Sequence, residues 1–331
     1  MKKIILTLLV ASSFLLNAQE EEKKLTISGS VDAYYQTYLS APDNSGPSFG
    51  TAFAGKSGFA LGMANVIASY EGEKAGAVLD LVTGPKGAGA TFNSDIVDGI
   101  VNQAYVYWNV SENTTLTFGR WNTFLGYEVI APAANFNYST SYLFSSGPFS
   151  HMGLKADFTL SEDFSLMLAI TNPWDTNDTS MTGEYAFGTQ LGYKGQFLNL
   201  YYDSGNNDGL GFEIDYTGGF DLSDSFFLGI NAAYNDNDGS GFYGVALYPQ
   251  LATSESFSLG LRSELYALHG DANNDESVLG LTLTGSYTVD NLIIKPEFRL
   301  DGWDNKDPYL DNDGMASNSL SAFTIAAIYS F

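Results

Sequence analysis

The chain carries two histidines, His151 and His269, and no cysteine, so the side chains that most often activate nucleophiles or hold metals are nearly missing. In "FSHMG", Ser150 adjoins His151, but neighbours on an extended chain point to opposite faces, the wrong arrangement for a base that must take a nucleophile's proton. His269 stands in an acidic loop and reads as a solvated side chain. Three runs, "NDNDGSG" (235–241), "DANNDE" (271–276) and "DNDG" (311–314), have the oxygen-rich look of calcium loops. None completes the spacing with the closing glutamate that such a loop needs, so they read as solvated turns. These residues point to no catalytic group, no metal and no cofactor.

The remaining chemistry is charge set at every second position. In "FSLGLRSELYAL", Phe257, Leu259, Leu261 and Leu265 take one side, and Arg262, Glu264 and Tyr266 the other. In "LIIKPEFRL", Leu292, Ile294, Phe298 and Leu300 oppose Lys295, Glu297 and Arg299. Such alternation is a strand with two unlike faces. A basic side chain at the middle of a bilayer costs roughly 2 to 4 kcal/mol, so if the oily face meets lipid, these charges must face a wet interior. Pro296 falls on the outward face, where its missing N–H removes a ladder bond and predicts a bulge.

About sixteen alternating segments recur, each near the roughly 9 to 11 residues that a tilted membrane strand needs; fourteen or eighteen strands remain compatible with the pattern. The spacers alternate in kind. Short turns such as "EGEK" (71–74), "SENT" (111–114) and "VDN" (289–291) are separated by mostly longer spacers rich in Asp, Asn and Gly: 40–57, 84–99, 122–150, 172–183, 204–209, 236–240, 269–276 and 303–318. A soluble sandwich has no reason to shorten every second connection, whereas an outer-membrane barrel has short periplasmic turns and long external loops. No fixed repeat supports a propeller or solenoid. The expected fold is an all-β, transmembrane, antiparallel up-and-down barrel forming a single domain over 19–331. "MKKIILTLLVASSFLLNA" (1–18) reads as a cleaved signal peptide. The chain ends on an alternating strand with Phe323, Ile325, Ala327, Tyr329 and Phe331 on one side; it must pair with the first strand to close the barrel.

A net charge of −24 argues against nucleic acid as a partner. Acidic residues crowd the long spacers, Asp43, Asp95, Asp98, Asp175, Asp178, Asp208 and Asp311 among them. They predict a mild cation preference, and divalent ions bridging them to lipopolysaccharide phosphates are a further expectation.

The segment 118–154, "FGRWNTFLGYEVIAPAANFNYSTSYLFSSGPFSHMGL", breaks the alternation. After Trp121 it is rich in aromatics, with Glu128 the one charged group before His151. So apolar a loop should pack against something, and the nearest shelter is the barrel's own lumen. Here the sequence resembles the β-barrel porin family of the OmpL-like type, through Gly119, Arg120, Gly126, Glu128, Asn135, Tyr138, Ser139, Ser141, Phe144, Pro148, Phe149, His151 and Gly153, preceded by "NQAYVYW" (102–108). The resemblance implies an outer-membrane channel passing small hydrophilic solutes. The terminal strand, with Tyr329 and Phe331, resembles the signature that the barrel-insertion machinery reads in outer-membrane proteins, and analogy with porins of this size suggests a homo-trimer. The loop 122–150 is then expected to fold inward and narrow the channel. Arg120 and Glu128 would form a charge pair near the constriction, lined by Asn135 and Tyr138; alternatively that pair only anchors the loop. The competing reading of the whole chain is a plugged surface barrel whose acidic loops serve adhesion or receptor roles.

Overall fold

Alternation becomes strand along most of the described residues. The computed structural model describes residues 24–43, 48–53, 55–91, 99–176, 183–203, 209–270 and 276–331. The signal-peptide stretch 1–18, the run 271–275, and Asp95, Asp98, Asp178 and Asp208 lie outside the described residues. The barrel strands are β1 (Lys24–Tyr38), β2 (Gly58–Glu71), β3 (Ala75–Thr83), β4 (Val101–Ser111), β5 (Thr114–Asn122), β6 (Ser150–Thr159), β7 (Phe164–Thr171), β8 (Ala186–Tyr193), β9 (Gln196–Asp203), β10 (Phe212–Asp221), β11 (Phe226–Asp236), β12 (Gly241–Ala252), β13 (Phe257–His269), β14 (Ser277–Val289), β15 (Leu292–Asp304) and β18 (Ser319–Ser330). Among the described residues, two short helices, α1 (Gly84–Ala90) and α2 (Tyr142–Ser146), and a small ribbon of β16 (Tyr309–Leu310) with β17 (Ala316–Ser317) sit in the long connections.

Each strand pairs antiparallel with its neighbours, and β1 meets β18 from Ser30 opposite Ser330 to Tyr38 opposite Ala322. Phe331 and Gly29 exchange reciprocal backbone bonds of 3.0 Å at the seam. Closure leaves no strand edge, which a spanning sheet requires because hydrocarbon offers no partner to a free N–H or C=O. The two faces separate as the alternation requires. Leu259, Leu261 and Leu265 are exposed on the outside of β13, while Arg262 and Glu264 on the inside are 2% and 1% exposed.

Two sequence expectations fail locally. Pro296 makes no bulge: β14 and β15 pair at Thr284–Glu297 and resume at Tyr287–Ile294 in the same register, so the ladder lapses without inserting a residue. Proline removes one donor, and Gly285 opposite it leaves room for the ring, with a Cβ there falling 3.3 Å from Cγ of Pro296. The spacer 236–240 is a tight turn rather than a long loop. Asp238 and Gly239 adopt φ of 54° and 87°, and Asn237 and Ser240 exchange backbone bonds of 2.7 and 3.1 Å. Positive φ at both central residues matches the twist of a hairpin, which is why Asp-Gly occurs there.

Candidate functional site

The connection from β5 to β6, residues 123–149, lies inside the barrel and is gripped by side chains from distant strands. Glu128 is the centre of the grip. Its Oε1 accepts from Nη1 of Arg262 on β13 at 2.7 Å, and its Oε2 accepts from the N–H and hydroxyl of Ser141, both at 2.7 Å. Arg262 also donates to Ser139 O at 2.6 Å and to Thr282 Oγ1 at 3.1 Å.

The expected partner of Glu128, Arg120, lies elsewhere. It stands beside Gly119, which has a φ of 134° within β5 where that strand pairs with Tyr105 and Gly153, and donates to Val101 O at 2.6 Å and Ser150 Oγ at 3.2 Å. Arg120 thus ties β5 to its neighbours, and the sequence pairing of Arg120 with Glu128 is corrected to Arg262 with Glu128. The true partners are 134 residues apart, which local spacing does not reveal.

The other wall charges also spend their hydrogen bonds on the loop's backbone. Glu264 accepts from Tyr142 N at 3.0 Å and Leu143 N at 2.8 Å, where α2 begins. Glu297 accepts from Tyr138 N at 2.7 Å and Ser139 N at 3.0 Å. Lys295 donates to Pro132 O at 3.0 Å and to Asn135 O. Arg299 pairs with Asp301 at 2.7 Å, donates to Thr140 O at 3.0 Å, and stacks 4.3 Å from the ring of Phe49. Asn135 closes the 129–135 lobe, its side chain accepting from Val129 N at 2.9 Å and donating to Val129 O. Tyr138 reaches β1, two strands along the wall from β15, donating to Asp32 Oδ2 at 2.5 Å.

Asp32, Asp215, Asp301 and Lys86 join the site unannounced by the sequence reading, although an Asp at an inward position of a strand was the available signal for the first three. Asp32 sits where β1 and β2 shift register, accepting from Met63 N at 2.8 Å. Asp215 accepts from Gly126 N at 3.0 Å and from Asn199 and Asn231. Lys86 on α1 donates to Tyr138 O at 3.4 Å and lies 4.3 Å over the Tyr138 ring. Burial lowers the Lys86 ammonium below its ordinary value against the pull of Asp32, Glu297 and Glu128. Burial likewise raises the Tyr138 hydroxyl, reinforced by Asp32, so Tyr138 donates and does not ionise. Burial pushes the Tyr127 hydroxyl up to about 12.

At the loop's level Arg262, Glu264, Lys295, Glu297, Arg299 and Asp301 are at most 3% exposed. Below it, toward the short turns, the lumen opens into two adjoining cavities. One of about 720 Å³ is lined by Trp121, Phe124, Tyr127, Lys155, Asp157 and Gln190. The other, of about 690 Å³, is lined by Tyr127, Glu128, Asn135, Phe136, Gln250 and Lys295. The calcium-like run at 311 is consumed by its own turn, Asp311 Oδ1 accepting from Asp313 N and Met315 N, both at 2.9 Å. Among the described residues no cluster of His, Asp or Glu forms a metal site.

A closed sixteen-strand antiparallel barrel with oily outer and charged inner faces and a long connection turned into its lumen is the architecture of outer-membrane porins. The model of the family described as "Putative beta-barrel porin-2, OmpL-like" matches residues 24–331, and the chain belongs to that family. Solved structures share the fold. The outer membrane channel DcaP of Acinetobacter baumannii matches at 14% identity and a TM-score of 0.57, covering 93% of this chain and 97% of that one. An anion-selective porin from Comamonas acidovorans matches at 12% and 0.62, covering 94% and 100%. The trimer form of OmpT, an outer membrane protein of Vibrio cholerae, matches at 10% and 0.56, covering 94% and 100%. At such identities the likeness is one of fold alone. No curated protein matches the chain in sequence.

Proposed function

We propose that the chain is an outer-membrane porin, exported with residues 1–18 removed, through which small hydrophilic solutes diffuse passively around the constriction formed by loop 123–149. The observation that carries the reading is a loop held in the lumen by wall charges, above two cavities that open toward the short turns. The protein works as a conduit without catalysis. The loop level collects the acids Asp32, Glu128, Glu264, Glu297 and Asp301 against the bases Lys86, Arg120, Arg262, Lys295 and Arg299, and β3 and β9 add Asp80 and Asp203. That excess, with the acidic outer loops, supports a mild preference for cations, the opposite of the Comamonas porin. The trimeric Vibrio relative supports a homo-trimer seated among lipopolysaccharide and lipid. Reversal potential across a salt gradient tests the charge preference, and an anion-selective value overturns it.

The second reading, an occluded barrel that displays acidic loops for adhesion or reception, draws on the near-complete burial of the charges at the loop's level. Planar-bilayer recording separates the two. Stable unitary steps in salt support the porin, and silence from a correctly folded barrel supports the plug.

A further inference from the structure

We propose that three inward-facing glycines, Gly188, Gly229 and Gly260, are sockets that seat the rings of Phe124, Tyr127 and Phe136 and so set how far loop 123–149 projects into the channel. The inference rests on reading that loop as the constriction. The glycines lie on three separate strands, β8, β11 and β13, and none has a positive φ, so backbone conformation does not call for glycine at any of them. A strand glycine gives up side-chain packing and loses more freedom on folding than other residues, and its recurrent reason is close approach by another group. At each of these positions that group is a ring from the same loop. A Cβ on Gly188 would lie 2.5 Å from Cζ and 2.8 Å from Cε1 of Phe124. On Gly229 it would lie 2.5 Å from Cζ of Tyr127, and on Gly260 2.6 Å from Cδ1 of Phe136. Carbon atoms rest about 3.5 to 4.0 Å apart, so each ring occupies the space of the missing methyl.

The rings are otherwise well placed to act on passage. Tyr127 stacks on Tyr248 with centroids 4.4 Å apart, and Phe124, Tyr127 and Phe136 line the two cavities below the loop. Depth of seating therefore sets how much ring protrudes into the wet space. Gly280 on β14 is also inward but differs in kind. A Cβ there meets nothing nearer than Asp301 Oδ1 at 3.4 Å, an ordinary contact with the wall itself.

The test combines two readouts on the full chain reconstituted in bilayers. Because the protein has no cysteine, Leu125→Cys, a 3% exposed position between two of the seated rings, reports loop docking through its rate of modification by a water-soluble maleimide. In that background Gly188→Ala, Gly229→Ala and Gly260→Ala together are expected to speed modification at least tenfold and to shift unitary conductance, while Gly280→Ala changes neither. Unchanged modification overturns the sockets whatever the conductance does. Faster modification with parental conductance supports the sockets and removes the constriction reading on which they bear. If the triple variant yields no heat-modifiable barrel, Gly260→Ala alone is scored by the same criteria.

Discussion

Neutralising Glu128 by Glu128→Gln leaves Arg262 buried in the wall without the carboxylate that sits 2.7 Å from it. Breaking a buried pair from one side typically costs about 3 to 5 kcal/mol, because the stranded charge stays desolvated. Arg262 would keep Ser139 O, Ser139 Oγ and Thr282 Oγ1 as acceptors, and the charge of Glu264 is close enough to act on it. The low end therefore applies, about 3 kcal/mol, or roughly a hundredfold in the ratio of docked to released loop. The substituted glutamine's amide oxygen can still accept from Ser141, so the loss falls on the Arg262 side, where the ion pair and its acceptor are replaced by an amide NH2 facing the guanidinium. Hydrogen exchange of the segment 123–149, read by mass spectrometry in detergent micelles, measures that ratio directly, since release exposes the amides of Tyr138, Ser139, Tyr142 and Leu143. Protection should fall about a hundredfold in Glu128→Gln and recover in part in Glu128→Gln with Arg262→Met, which removes both charges but also the donor to Ser139 O. Parental protection in the single variant, or a double variant no better than the single, would refute the argument that this pair holds the loop.

Tyr138→Phe deletes the hydroxyl that donates to Asp32 and should weaken loop protection by about 1.5 to 3 kcal/mol, the range for a bond to a charged group; the same exchange experiment reads it. Gly119→Ala should abolish folded barrel, scored by heat-modifiable migration, since φ there is 134° and a Cβ would lie 2.6 Å from Tyr105 Cα in the neighbouring strand. Asp175, between β7 and β8, accepts from Phe149 N at 3.0 Å and Ser150 N at 3.2 Å, yet burial raises its carboxyl to about 7 from an ordinary 3.8. A raised folded value means that the native state favours the protonated acid. Its contribution to stability is full below about pH 4 and is lost as pH rises through 7. Asp175→Asn should accordingly gain on the parent in urea midpoint between pH 4 and pH 7, and a difference that is flat over that window contradicts the assignment.

Much of this architecture was legible because a membrane barrel writes two solvents into alternate residues. Lys295, Glu297 and Arg299 identified the inner face of β15, and the outward leucines of β13 identified its lipid face. Strand count followed from repeating that argument. The misreadings have local causes. Asp238 and Gly239 belong to a composition shared by long loops and tight turns, and only their positive φ distinguishes the turn. Pro296 forces no insertion because, facing outward opposite Gly285, it needs only a lapse in pairing. The partner of Glu128 was illegible because the loop chooses it only after barrel closure has brought β13 across the lumen.

The division of labour between loop and wall has a consequence for selectivity. Glu128 is the sole acidic or basic residue in 122–150, while Glu264, Lys295, Glu297 and Arg299 all hydrogen-bond the loop's backbone, Arg299 lying also over the Tyr142 ring. Backbone groups are the same whatever residue bears them, so loop side chains that do not seat on the wall can change without releasing the grip. Wall charges have no such freedom, because each one both sets the local potential and satisfies a desolvated amide or carbonyl. Substitution in the loop's free positions, such as the exposed Val129 and Ala134, should therefore alter the size of solute admitted and leave ion preference alone. Substitution of Glu297 should alter ion preference and loop docking together. The two properties would then separate between loop and wall, which neither a uniformly lined pore nor an inert plug would produce.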